Sequence, residues 1–422
     1  MLNLPASGAT LAGDSQRKSL SVAGPHGIPG VNSQAGDELP VRMAADQWEL
    51  TTLGLKQRFQ AVDLFLTDVL THQGTPEFLS RNPLANAVVT RAARSLAGAR
   101  PAIGSWTWMA SSDLVIRENG DPVVLDHNFD CPAGLQRLSE LSGRSDIHET
   151  VDLWLRSRLQ FGWCSFEHQE DRLRVAVLDA GSFSPAYREN EYLATQLGGR
   201  LISNRDVVVR GDGVYAAHHR QLERIDLLIR RVEDAMLDPN CFRPDSLIGV
   251  PGLVRACREQ QACVLNPPGT GMMSNRAVSG LIPEMVRHYL GEDPLLATAE
   301  LLFCGDPDTC VRVLENLLQY AVRTVDPLHP ARPFFGSAAT ASEISDIQTR
   351  VQRDPQNFVA RPLLSPLVAA TDRLFNLRVF SGVSSRFSLL PMGVGRPAQP
   401  DGGATLAIIN DPAAFLVMPN AG

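Results

Sequence analysis

Apolar residues recur at helical spacing from residue 46 onward. Leu50, Leu53, Phe59, Val62, Phe65, Leu66 and Val69 follow a 3.6-residue period, which predicts an amphipathic helix. A loop containing Asn82-Pro83 is expected next, then a strand-like region from Ile103. From Arg174 the rhythm changes: residues 175–181 (VAVLDAG), 198–203 (GGRLIS) and 225–229 (IDLLI) are short apolar runs, with a helix-compatible segment at 191–197 between the first two. That alternation predicts a parallel sheet covered by helices. Beyond Phe303 two helix starts are legible, Asp306 before Pro307 and Thr340 three residues ahead of Glu343, the second leading into Ile344, Ile347 and Val351. The pattern as a whole predicts an α/β protein of at least two lobes, without internal repeats.

Composition narrows the function classes. With 422 residues, 44% of them hydrophobic, the chain can bury a large core. Residues 1–45 are rich in Gly, Ser, Ala and Pro and read as a flexible tail. The net charge of −7, with no basic stripe, gives no basis for nucleic-acid binding. No apolar run approaches the ~20 residues that span a bilayer, so no membrane association is expected, and the start lacks the pattern of a secretory signal. Seven cysteines, at 131, 164, 241, 257, 263, 304 and 310, form no zinc spacing and fit reduced thiols of a cytoplasmic protein.

Three segments could carry chemistry. Asn119-Gly120 is the strongest hairpin signal, because a two-residue turn of that type needs positive φ at both positions. Counting outward pairs Glu118 with Asp121, Val115 with Val124 and Asp113 with Asp126, with Asn128 further along the same face. Directly opposed carboxylates destabilise a sheet unless compensated. A magnesium ion would compensate them; so would simple hydration at a solvent-facing hairpin. Arg230, Arg231, Glu233 and Asp234 close the run IDLLIRRVED, where strand ends commonly face a ligand crevice. The arginines suit carboxylate or phosphate recognition there, and a solvated charge cluster is the alternative. Finally, residues 266–271 (NPPGTG) form a turn-rich loop whose amides, Gly269 and Gly271 among them, could cradle an anion or serve only as a turn.

Residues 123–128 (VVLDHN), read with 242–271 (FRPDSLIGVPGLVRACREQQACVLNPPGTG), resemble in the same order the circularly permuted ATP-grasp type 2 proteins, the glutathionylspermidine synthase-like ATP-grasp amidoligases. Residues 112–120, 223–239 and 287–296 add to the likeness, which runs from about Trp106 onward. The resemblance implies an ATP-grasp fold with a pre-ATP-grasp-like βαβ layer, and ATP-dependent joining of a carboxylate to an amine. It implies Asp113, Asp126 and Asn128 as ligands of Mg2+ that bridges ATP phosphates, with Asp126 shorter by one methylene than the family's Glu. Arg230, Arg231 and Arg378 take substrate or catalytic roles. Arg323, Arg276, Gly269, Gly271 and Asn410 belong to the nucleotide side, Arg276 and Arg323 standing where lysines are usual.

The resemblance erodes after Tyr320. Pro327-Leu328-His329-Pro330 replaces the glycines of a phosphate loop, and proline offers no amide donor. Asn376 replaces an aspartate two residues before Arg378, Arg396 keeps the arginine of a Gly-x-x-Arg-x-Ala stretch, and no Gly-Lys-Asp segment follows Asn410. The implied division is a tail at 1–45, a helix with the metal-site strands at 46–170, the α/β layer with the NPPGTG loop at 171–298, and an eroded nucleotide lobe at 299–422. Two functions follow as expectations: a carboxylate-amine ligase impaired in ATP binding, or a silent scaffold that binds a peptide-like ligand or an active partner ligase.

Overall fold

The apolar stripe of the first helix is realised as Ala45–Leu66, prolonged by a π-helical turn at Thr67–His72. Leu55, Phe59, Val62, Phe65, Leu66 and Val69 are buried, while Leu53 faces outward at 46% exposure. The computed structural model describes residues 40–101, 103–117, 120–142, 145–159, 173–218, 221–326, 333–363, 375–397 and 414–420. The segment at Asn82-Pro83 is not a loop but a helix start: Asn82 Oδ1 accepts from the Ala85 amide at 3.1 Å and Pro83 opens the helix Pro83–Leu96. An asparagine cap with proline in the first turn is a favourable start that the loop reading overlooked.

In chain order the strands are β1 (Val41–Met43), β2 (Ala110–Ile116), β3 (Pro122–Asn128), β4 (Val175–Asp179), β5 (Arg200–Ser203), β6 (Val207–Arg210), β7 (Gly213–His218), β8 (Gln221–Arg224), β9 (Leu227–Arg230), β10 (Cys263–Leu265), β11 (Ala297–Thr298), β12 (Leu302–Phe303), β13 (Tyr320–Thr324), β14 (Phe334–Phe335), β15 (Phe358–Pro362), β16 (Phe375–Val383), β17 (Phe387–Pro397) and β18 (Phe415–Pro419). The protein is α/β. A seven-stranded sheet has the order β1-β18-β17-β16-β2-β3-β11, and a four-stranded sheet the order β10-β9-β4-β5. The second of these is parallel throughout, as the apolar runs after Arg174 predict. Strands β4, β9 and β10 of this sheet are buried on both faces because both are covered. Val175, Val177 and Ile229 meet the helices Leu135–Ser142 and Ser145–Ser157, and Ala176, Leu178 and Leu228 meet the helix Leu253–Arg258.

A separate antiparallel sheet, β12-β15-β13-β14, is backed by the helices Pro307–Glu315 and Ala341–Arg353. Strands β16 to β18 do not stay with it; they join β2 and β3 in the seven-stranded sheet. The expected lobe at 299–422 is thus divided, since its last strands complete the sheet begun at Ala110. The predicted capping box is present: the Glu343 amide donates to Thr340 Oγ1 at 3.3 Å and the Thr340 amide to Glu343 Oε2 at 2.8 Å. Thr340→Ala should lower stability by about 1 kcal/mol. Urea denaturation checks this, and an unchanged midpoint would count against the cap.

Candidate functional site

Alternation along β13 and β15 builds a cleft. The strands pair Ala321 with Arg361 and Arg323 with Val359. Tyr320, Val322, Phe358 and Ala360 point into the core under the two backing helices. Ala321, Arg323, Val359 and Arg361 therefore point the other way, and they line a cleft with Leu125, Leu301, Pro362 and Arg276.

Opposite this face stands the β2-β3 hairpin. Asp113 faces Asp126, and Ser111 faces Asn128, as the sequence count requires. The route to that register differs from the expectation. The Arg117 amide donates to Asp121 O at 3.1 Å and the Gly120 amide to Arg117 O at 2.8 Å, so the connection is one residue longer than a two-residue turn. Gly120 takes a φ of 86°, the left-handed conformation that such three-residue connections need. A bulge between Asp113/Leu114 and Asp126/Val124 then restores the register, so Val115 meets Val123 rather than Val124. The extra residue is Leu125. Its carbonyl, freed from the ladder, accepts from Arg361.

Arg276 completes the cleft. Its guanidinium donates to Thr324 O at 2.8 Å and lies 3.6 Å from Asp126 Oδ2. Burial, and then the like charges of Arg276 and Arg361, pull Arg323 down to about 10 against the opposing influence of Asp126 and Asp113. Burial lowers Arg361 as well. Arg361 was not anticipated from the sequence. Only the β13-β15 register reveals that it shares a face with Arg323.

The expected metal ligands do not fit a divalent ion as they stand. Both carboxylate oxygens of Asp113 are held by Arg378, at 2.7 and 2.8 Å, in a fork that is 6% exposed on the acid and 4% on the base. Asn128 Oδ1 accepts from the amides of Asp130 and Cys131, and its nitrogen donates to Cys131 O, closing a turn. Asp126 Oδ2 lies 3.6 Å from the Arg276 guanidinium at the cleft, and its Oδ1 accepts from the His127 amide at 3.0 Å. Among the described residues no three His, Cys, Asp or Glu side chains gather as metal ligands. Burial opposes the charge on Arg378, yet Asp113 overrides it and raises the guanidinium above its ordinary range. Arg378 also donates to Ala133 O at 3.1 Å.

Arg230 and the NPPGTG loop form an internal network instead of facing a ligand. Arg230 is fully buried, paired with Asp130 and with Asp234 (3.1 Å), and donates to Asn266 O at 2.7 Å and Thr270 Oγ1 at 2.8 Å. The amides of Gly269 and Gly271 both donate to Asp234 Oδ2 at 2.8 Å. The loop does cradle an anion, but the anion is this aspartate. Arg231 is buried as well, its Nε donating to Asn190 Oδ1 at 2.7 Å. Residues 327–330 and Asn410 lie outside the described residues, as does the side chain of Arg396.

The sequence matches the model of the circularly permuted ATP-grasp type 2 family over residues 40–398. The chain belongs to that family. An uncharacterized protein of Synechocystis sp. is 29% identical over 343 residues, covering 78% of this chain and 70% of that relative. An uncharacterized protein of Mycobacterium tuberculosis is 28% identical over 388 residues, covering 87% and 70%. A Frankia casuarinae protein, provisionally named a glutamate–cysteine ligase, is 28% identical over 388 residues, which make up 86% of this chain but only 44% of that relative. A glutathione synthetase-like effector from Globodera pallida, solved in its apo form, superposes with a TM-score of 0.51 at 12% identity, covering 90% of this chain and 88% of the other. That likeness is one of fold.

Within the ATP-grasp frame, one compositional fact gains meaning. The 422 residues contain two lysines, Lys18 and Lys56, against 37 arginines. Lys56 is exposed on the first helix, so every cation described in the cleft is a guanidinium. Guanidinium presents a fixed planar fork where ammonium is a rotatable point charge, and the substitution changes which anions fit best. No described helix is long and apolar enough to cross a membrane.

Proposed function

We propose that this ATP-grasp protein keeps the ligase scaffold but is silent in ATP-dependent carboxylate–amine ligation, its cleft holding a small anionic or peptide-like ligand. The observation that carries this reading is the bidentate Asp113–Arg378 pair. Phosphoryl transfer depends on charge stabilisation and positioning at the phosphates, with Mg2+ bridging them. A carboxylate already neutralised by a buried guanidinium contributes nothing to holding that ion, and Asn128 is occupied in its own turn.

A working ligase is the second reading, supported by the convergence of Arg276, Arg323 and Asp126 and by the name of the Frankia relative. In that reading the substrates are a small carboxylate and an amine. Calorimetry with ATP and MgCl2, alongside phosphate release, separates the two. The silent scaffold is expected to release no phosphate and to bind ATP no better with Mg2+ than without. Micromolar binding of Mg2+ and ATP that vanishes in Asp126→Ala would overturn it in favour of the ligase.

A further inference from the structure

The first helix, Ala45–Leu66, lies across the face of the seven-stranded sheet opposite the cleft, where Leu55 packs with Leu114 and Val124. The bulge turns both Leu125 and Asp126 to the cleft side. The next β3 residue under the helix is therefore His127, which pairs with Ser112. Arg58, about one turn beyond Leu55, reaches over the same face. Its Nη2 donates to Leu296 O at 2.6 Å and to Thr298 Oγ1 at 2.7 Å, and Thr298 is the β11 partner of Val124. The His127 ring is 5.4 Å from that of Phe129, itself 5.1 Å from Phe59, the residue after Arg58.

Arg58 is 1% exposed, and among the described residues no carboxylate pairs with it. Burial is the sole influence that moves its guanidinium, down to about 10. Two buried nitrogens of this region also lack partners, Arg58 Nε and His127 Nε2. Buried charges are ordinarily paired and buried donors bonded. We infer that a halide ion, chloride under ordinary conditions, is held between the first helix and the β2-β3 hairpin by Arg58 Nε and His127 Nε2, as the counterion that the chain does not supply. Ser112 Oγ, 2.8 Å from His127 Nδ1, donates to that nitrogen and leaves the ring proton on Nε2, so a neutral imidazole offers the second N–H. A water molecule accepts the same bonds but brings no charge. A phosphate or carboxylate carries more acceptor sites than two free donors satisfy. The ion lies behind β3, separate from the cleft that Arg276 and Asp126 border.

The test is urea denaturation of the full chain at neutral pH and constant ionic strength, with sodium gluconate replaced stepwise by sodium chloride, together with crystals grown in sodium bromide. Raising chloride from about 1 to about 100 mM should multiply the folded-to-unfolded ratio at least about tenfold, the linkage of a site with a Kd of about 10 mM or tighter. Bromide should give an anomalous diffraction peak between Arg58 Nε and His127 Nε2. His127→Glu places a carboxylate at the reach of the lost ring nitrogen. This variant should be insensitive to chloride and, in gluconate, more stable than the parent, a gain that misfolding cannot produce. Arg58→Met should also lose the chloride response, whereas the exposed Arg81→Gln should keep it. If Arg58→Met does not fold, the bromide map and His127→Glu decide. A parent protein indifferent to chloride, a position that shows no anomalous signal, or a chloride response that persists undiminished in His127→Glu overturns the inference.

Discussion

Arg230→Met should destabilise the protein by about 3–5 kcal/mol, the range for removing one partner from a buried charge network. Arg230 is 1% exposed and lies between Asp130 and Asp234, which are 6% and 7% exposed. Methionine fills most of the volume but leaves two carboxylates facing each other without a countercharge. Asp234 would still accept from Gly269 and Gly271, so the loss would concentrate on Asp130 and on the unpaired Asn266 carbonyl. Arg230→Lys should recover only part of the stability, since one ammonium cannot reach Asn266 O, Thr270 Oγ1 and both acids in the geometry of the fork. Urea midpoints with circular dichroism measure the loss. A cost below about 1 kcal/mol would mean the network is solvated and the loop is held by something else.

The same residues show what the sequence reveals and what it hides. The first helix, the parallel layer and the Thr340 capping box follow from local patterns, in which the decisive neighbours lie within a few residues. The opposition of Asp113 and Asp126 was also legible, although two offsets that cancel, a longer turn and a bulge at Leu125, produce it. Long-range partners were not legible. Arg378 and Asp113 are 265 residues apart, and no local pattern announces that one consumes the other. Nor does NPPGTG disclose that its amides already have a carboxylate within the chain. Arg361 became visible only when β15 was laid beside β13. A charged residue's type suggests the chemistry available to it, whereas its fold partners decide whether that chemistry remains free for a ligand.

Acid should act on the protein through two buried groups of opposite sign. His127 is 6% exposed; its Nδ1 is 2.8 Å from Ser112 Oγ and its Nε2 has no partner. Burial, and then Arg58, push the imidazole down to about 3, against a smaller upward influence of Asp126. A depressed folded-state value means that the unfolded chain takes up the proton first. Stability is therefore complete above about 6.5 and is lost as pH falls toward 3, at about 1.4 kcal/mol per unit. Asp63 works the other way. Burial raises its carboxyl to about 6 despite hydrogen bonds from Ser105 Oγ at 2.5 Å and the Trp106 amide at 3.1 Å. Its contribution is present below about 3.8 and lost as pH rises through 6. Between pH 7 and pH 4 the two largely offset each other, His127 contributing about 3 kcal/mol and Asp63 about 2 kcal/mol. Removing one exposes the other: on acidification from pH 7 to pH 4, His127→Gln should gain about 3 kcal/mol relative to the parent, while Asp63→Asn should lose about 2 kcal/mol. Urea denaturation of the three proteins at both pH values measures the difference. Curves that shift in parallel would show that neither group titrates as its burial requires.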